Sequence, residues 1–100
     1  VDLRKLRDYC LNPAHPRGRQ KARVFASALD LGADDATELR DALLFAARSD
    51  KAYATERDEH GQRYILDFDM VRKEGTARVR SSWILRSGED FPRLTSCYVL

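Results

Sequence analysis

Two short stretches of the chain concentrate side chains that could do chemistry. The first is Asn12-Pro13-Ala14-His15-Pro16-Arg17-Gly18-Arg19-Gln20-Lys21-Ala22-Arg23, which carries four basic residues from Arg17 to Arg23 and no acid among them. Where a loop enters a helix, the first backbone N–H groups and the helix dipole already favour anions. Cations crowded at that end oppose the dipole unless something negative neutralises them. The run therefore points either to a phosphate ligand held by Arg17, Arg19, Lys21 and Arg23, or to a solvated basic turn paired with scattered carboxylates. His15, fixed between Ala14 and Pro16, has the side chain suited to general acid–base work near neutral pH. A loop histidine hydrogen-bonded to backbone is the plainer alternative.

The second stretch is Arg93-Leu94-Thr95-Ser96-Cys97-Tyr98. Alternation at a period of two puts Arg93 and Thr95 on one strand face, where a forked guanidinium and a hydroxyl can meet one phosphate. Arg78, Arg80 and Arg86 alternate along the preceding run in the same way. Asp67 and Asp69 share a face; they read as a metal or acid–base dyad, or more simply as cross-strand partners of Arg80 and Arg78. Trp83 and Tyr98 could stack on bases if exposed, but their positions read as core. Cys10 and Cys97 match no zinc spacing and read as two buried thiols, with a bridge between them left open. His60, before Gly61, reads as a turn residue. The chain contains no P-loop, nucleophile elbow or dinucleotide fingerprint, and no cofactor or metal is expected.

The elements that must position these residues fall into two halves. Leu3, Leu6, Tyr9 and Cys10 recur at helical spacing up to Asn12-Pro13. Pro16 suits the first turn of a second helix, whose stripe is Ala22, Phe25, Ala26 and Leu29 and whose stop is Gly32. Asp35 and Glu38 have capping-box spacing ahead of a third helix that turns Ala36, Leu39, Leu43, Ala46 and Ala47 inward. After Asp50 the period becomes two. A weak edge strand over 52–58 precedes one with Tyr64, Leu66, Phe68 and Met70 on its apolar face. The next turns Ala77, Val79, Ser81, Trp83 and Leu85 inward, and a last run over 92–100 groups Leu94, Tyr98 and Leu100 against Arg93, Thr95, Cys97 and Val99. Turns are expected at His60-Gly61, Glu74-Gly75 and Ser87-Gly88.

The predicted architecture is α+β: three N-terminal helices (about 2–49) packed on one face of a C-terminal four-stranded antiparallel β-meander (about 52–100). Residues 1–100 form a single domain, and the start at Val1 suggests a piece excised from a longer protein. The uncovered face would present Arg78, Arg80, Arg86 and Arg93. Apolar residues make up 43% and charged residues 34%, a balance that excludes a disordered chain. No apolar run reaches the roughly 18 residues of a membrane span. The 18 Lys+Arg and 16 Asp+Glu leave a net charge of +2, which excludes a uniformly basic, histone-like chain. Fourteen of the 18 cations are arginine, a bias toward planar bidentate contacts.

The order Lys5-Leu6, Leu11-Asn12-Pro13, His15-Pro16, Gly18, Lys21-Ala22 and Phe25, closing with Pro92-Arg93-Leu94-Thr95 and Tyr98, resembles a small bacterial domain. That domain is found alone or at the C-terminal tip of larger secreted or phage-like polymorphic toxins, and the resemblance spans essentially the whole chain. It departs at Cys10, where leucine is usual, and at Asp30-Leu31, where the family is more variable and Gly-rich. The layout is similar to the superfamily of barnase, EndoU, colicin-type and RelE-type ribonucleases, a likeness of fold rather than of site. The resemblance implies a toxin, monomeric as a free domain and matched by an immunity or antitoxin protein. It implies delivery into a target-cell cytoplasm as part of a larger toxin, or a cytoplasmic place if the domain stands alone. The implied activity is metal-independent cleavage of RNA, tRNA among the candidates, through attack of the 2′-hydroxyl on the adjacent phosphorus. His15 would serve as base or acid, Lys21 and Arg93 would stabilise the transition state, and Thr95 would orient the phosphate. Arg17, Arg19, Arg23, Arg78, Arg80 and Arg86 would follow the RNA backbone. This requires the His15 loop to lie beside Arg93. A non-catalytic RNA- or protein-binding module on the same arginine-rich face is the alternative.

Overall fold

The computed structural model describes residues 1–49, 52–73 and 75–100. A short helix α1 (Leu3–Lys5) runs into a π-turn, Leu6–Cys10, whose register is marked by the bond from Leu11 N–H to the Leu6 carbonyl at 2.8 Å. Helix α2 (Arg19–Leu29) follows, then a 3₁₀ turn (Ala33–Asp35) and helix α3 (Ala36–Ser49). The strands are β1 (Tyr53–Asp58), β2 (Gly61–Arg72), β3 (Gly75–Arg86) and β4 (Arg93–Val99), paired antiparallel in sequence order. The architecture is α+β as expected, with the helices gathered on one face of the meander. No helix among the described residues is long and apolar enough to cross a membrane.

The helical stripes form the lid of one core. Leu6, Cys10, Leu11, Phe25, Leu29, Leu39 and Leu43 meet Leu66, Phe68, Met70, Val79, Trp83, Leu94 and Cys97 from the sheet. The π-turn and α2 lie over β4, α2 also over β3, and α3 over β2. Burying a leucine or phenylalanine side chain here stabilises by roughly 1.5–3 kcal/mol. Ser81 is the buried polar side chain of this face; its hydroxyl donates to the Leu66 carbonyl at 2.7 Å and accepts from Trp83 Nε1 at 2.8 Å. That bond fixes Trp83 as a core residue. β1 is exposed along its whole length, as a weak edge strand should be.

Several local expectations are corrected. α2 stops three residues before Gly32: Asp30 takes the left-handed position, φ 54°, and Gly32 is extended. Asp30 is held there by the Lys73 ammonium, and Arg72 donates to the Leu29 carbonyl at 3.1 Å and to the Asp30 carbonyl. Arg72 also pairs with Asp35 and Glu38, so one cation joins the end of α2 to the start of α3. The Asp35–Glu38 capping box is not formed. Asp35 instead reaches back to the Gly32 N–H at 2.9 Å. Ala47 is exposed, because Ala36, Leu39, Leu43 and Ala46 already complete the inward stripe. The expected turn at Glu74-Gly75 includes Glu74, which lies outside the described residues, as do Asp50 and Lys51.

The most consequential correction concerns β4. Ser82 pairs with Ser96 but Trp83 pairs with Leu94, so Thr95 is an extra residue, a β-bulge. One extra residue reverses the facing of everything after it. Leu94, Cys97 and Val99 face the core, while Ser96 and Tyr98 join Ser82 and Arg80 on the open face. Thr95 itself donates its hydroxyl to the Ser82 carbonyl at 3.0 Å.

Gly18 sets the spacing of the helical layer. A Cβ on it would lie 2.1 Å from the Tyr9 carbonyl oxygen, so the π-turn and the start of α2 approach more closely than any side chain allows. Gly18→Ala should destabilise the domain by about 2 kcal/mol or more. Gly32→Ala, whose Cβ would find only Asp35 at 3.9 Å, should change stability by no more than about 0.5 kcal/mol. Urea unfolding of the two variants checks the contrast.

Candidate functional site

The loop after the π-turn is built by its own side chains. Asn12 Oδ1 accepts from the Ala14 N–H at 2.9 Å, and its amide donates to the Asp8 carbonyl at 3.1 Å. His15 closes a turn ahead of α2. Its carbonyl accepts from Arg19 N–H at 2.9 Å, and its Nδ1 caps the turn by accepting from the N–H groups of Arg17 and Gly18, both at 3.0 Å. Pro16 lies in this turn and not in the first turn of the helix, which begins at Arg19 after the N-cap Gly18. With the Nδ1 lone pair taken by two backbone donors, the neutral ring carries its proton on Nε2 and offers a donor outward. The nitrogen that carries the lone pair in this tautomer is thus occupied within the loop.

The ring of His15 stands edge-on to Tyr9, with centroids 4.9 Å apart. Tyr9 in turn meets Lys21 from the next helix turn: the Lys21 ammonium donates to Tyr9 Oη at 2.7 Å and to Ser96 Oγ at 3.2 Å. β4 is an edge strand, so a side chain from α2 reaches its Ser96 around the rim of the sheet. The same ammonium lies 4.7 Å from the Tyr9 ring and 5.9 Å from the Tyr98 ring. Among the described residues Lys21 pairs with no carboxylate, and neither do Arg17, Arg19 or Arg23. His15, Tyr9, Lys21, Ser96 and Tyr98 are all half-buried, so the group is open to solvent on one side. An ammonium held by neutral hydroxyls, two of its three donors used, is a site for an anion.

From this rim the open face continues inward along one cross-strand row, Tyr98–Arg80–Asp67. Arg80 and Asp67 form a two-point ion pair with both contacts at 2.9 Å. The hydrogen bonds from Arg80 hold the Asp67 carboxyl below the usual carboxylate range, and the carboxylate raises the guanidinium in turn. In the next row Arg78 pairs with Asp69 at 3.2 Å. The two aspartates are thus partners of arginine, not a metal or acid–base dyad, and Arg78 and Arg80 meet a ligand already neutralised.

Arg93 belongs to a separate group. It lies at the first position of β4, where Glu89 takes its guanidinium through two oxygens at 2.8 and 3.0 Å and Phe91 lies under it at 5.0 Å. A cavity of about 320 Å³ opens there among Lys5, Arg86, Phe91, Arg93 and Thr95. The single site expected from His15, Lys21, Arg93 and Thr95 is therefore divided. His15 and Lys21 come together through Tyr9, Arg93 is satisfied by Glu89, and Thr95 is committed to its bulge. Tyr9 and Ser96 carry no signal of a site in the sequence, and Tyr98, a possible base-stacking ring whose position reads as core, is on the open face. Tyr9 fits an apolar helical stripe, and only the bulge at Thr95 turns Ser96 and Tyr98 outward.

The family described as "Domain of unknown function (DUF6883)" matches the chain over residues 1–100, and the chain belongs to it. No curated protein and no solved structure matches the chain.

Two outcomes follow from these bonds. His15→Ala should lose about 1 kcal/mol with the cap, whereas His15→Asn should keep most of that stability, since asparagine caps well, while removing the outward Nε2 donor. Thermal unfolding of both variants separates cap from site. Asp67 has a lowered folded value, so its contribution is present above about pH 4 and is lost as pH falls through that value. The thermal midpoint of Asp67→Asn should accordingly be lower than wild type at pH 7, with the two converging near pH 2.

Proposed function

We propose that this member of the family is a ribonuclease domain that cleaves RNA without a metal, using the Lys21 rim as its phosphate site. The observation that carries the reading is the Lys21 ammonium, held by the Tyr9 and Ser96 hydroxyls with no carboxylate to neutralise it. A phosphodiester oxygen would complete its third donor. The outward Nε2–H of His15 and the Ser96 hydroxyl add neutral donors to the same anion.

In this mechanism the ribose 2′-oxygen forms a bond to phosphorus and the bond to the 5′-oxygen breaks, leaving a 2′,3′-cyclic phosphate and a 5′-hydroxyl. Negative charge grows on the non-bridging oxygens, where Lys21 stabilises it. Tyr9, whose oxygen already accepts from Lys21, gives its phenol proton to the departing 5′-oxygen and takes up the proton released by the 2′-hydroxyl, so that it ends as it began. Tyr98 offers a ring for a neighbouring base. Arg17, Arg19 and Arg23 attract flanking phosphates in a salt-dependent manner. Arg86, the last residue of β3, and Arg93, the first of β4, would serve a more distant part of the RNA chain. As a toxin domain it would act in the cytoplasm of a target cell and be masked by an acidic immunity protein.

A non-catalytic module that binds RNA or an acidic protein on this rim is the second reading. One observation favours it: His15 Nδ1 is taken by backbone donors, which removes the obvious base. Lys21→Met separates the two readings. If the domain is a nuclease, the variant should cleave total RNA at least about 100-fold more slowly, and its salt dependence of binding should fall by about one phosphate contact. If wild type binds RNA with that salt dependence but leaves it whole, the domain is a binding module.

A further inference from the structure

We propose that Cys10 and Cys97 are a redox-responsive dithiol that closes into a disulfide directly behind the Lys21 site and distorts it on closing. The inference builds on the reading of that site. The two cysteines come from opposite ends of the chain, yet both are fully buried in the same core cluster, on the π-turn and on β4, which pack together. The residues before them, Tyr9 and Ser96, are held by one Lys21 ammonium at 2.7 and 3.2 Å, which sets their two segments side by side. The outward turn of Ser96 and Tyr98 is coupled to the inward turn of Cys97, and Tyr9 immediately precedes Cys10. Both hydroxyls that hold Lys21, and the Tyr98 ring beside it, are therefore carried by immediate neighbours of the two sulfurs.

The Cys97 hydrogen bond draws the Cys10 thiol down to about 7 against the effect of burial, with help from the charges of Lys21 and Lys5, and Cys97 is raised correspondingly. The pair thus gives up a first proton readily and a second reluctantly, which suits Cys10 as the attacking sulfur. With a small disulfide such as oxidised glutathione, the Cys10 thiolate displaces one glutathione thiolate to form a mixed disulfide. Cys97, losing its proton, then displaces the second. Two electrons and two protons pass from the protein to the oxidant, giving one protein disulfide and two molecules of glutathione. Because both sulfurs are buried, the first attack waits on local opening of the N-terminal segment.

Closure sets the sulfur separation at about 2.05 Å and draws the π-turn and β4 together. The Lys21 bonds to Tyr9 and Ser96, at 2.7 and 3.2 Å, span the same two elements and cannot both survive an unequal shift. The reduced form is then the one with an intact anion site, which suits action in a reducing cytosol, and the oxidised form is the braced one.

The test equilibrates the purified chain with oxidised or reduced glutathione. It measures intact mass after thiol alkylation, amide hydrogen exchange, and affinity for a 2′-O-methyl oligoribonucleotide that cannot be cleaved. The expected result is an oxidised species lighter by the mass of two hydrogens with both cysteines protected. Exchange should change over residues 9–21 and 94–98, and affinity should fall by roughly tenfold, as ångström-scale misplacement of contact groups allows. Cys10→Ser and Cys97→Ser should show none of these changes. Glutathione adducts or free thiols without an internal bridge would overturn the dithiol, and a bridge with unaltered exchange at those residues would overturn its coupling to the site. If the reduced chain binds no oligonucleotide while mass and exchange behave as expected, the Lys21 reading fails and the dithiol stands.

Discussion

The contact between Gly18 and the Tyr9 carbonyl brings two helical segments closer than side chains permit, and the rim of the sheet depends on it. Because Gly18 has no Cβ, the start of α2 lies against the π-turn. Lys21, one turn further on, then falls within 2.7 Å of the Tyr9 hydroxyl. The loop between them is short and over-determined. Asn12 closes the preceding turn, His15 caps the turn ahead of α2 with its ring nitrogen, and Pro16 supplies a fixed φ within that turn. What looks in one dimension like a motif for chemistry is largely a joint, and its product is the placement of one lysine.

The second constraint is the bulge at Thr95. It sends Cys97 to the core and Ser96 and Tyr98 to the open face, so the edge strand completes both the hydrophobic core and the anion site. The arginines of the open face do less than their number suggests. Arg78, Arg80 and Arg93 each face a carboxylate, and Arg72 ties the helical layer together from the end of β2. Among the described residues Arg17, Arg19, Lys21 and Arg23 gather on one segment without a carboxylate, while Lys5, Arg57 and Arg86 lack one singly elsewhere. The net charge of +2 thus conceals a local cluster of cations on one rim.

Much of the fold was legible in the sequence, and the reasons are physical. The switch from a period near 3.6 to a period of two marks where helices give way to strands. The core faces of β2 and β3 read off directly as alternating apolar residues, and Asp67 and Asp69 found the arginine partners that cross-strand pairing favours. Pro16, expected in the first turn of the second helix, lies in the turn ahead of it. The failures share a cause: a single-residue irregularity has no periodicity of its own. The Thr95 bulge reversed the expected facing of Cys97 and Tyr98, and Asp30, stabilised by Lys73 and Arg72 from far along the chain, ended α2 ahead of the glycine. For the site, His15 and Lys21 were visible as residue types, but Tyr9 and Ser96 became site residues only through contacts made across the edge of the sheet.

The central claim is that Lys21 and its hydroxyl partners hold a backbone phosphate of RNA. The most direct measurement is NMR titration of the reduced domain with a non-cleavable 2′-O-methyl dinucleotide, observing the lysine ammonium, histidine ring and backbone amide resonances. The account predicts that the Lys21 ammonium, the His15 Nε2–H and the amides of Tyr9, Ser96 and Tyr98 shift together with one saturation curve. Those around Arg86 and Arg93 should stay still. Shifts confined to the Arg86–Arg93 cavity, or none at millimolar dinucleotide, would contradict it.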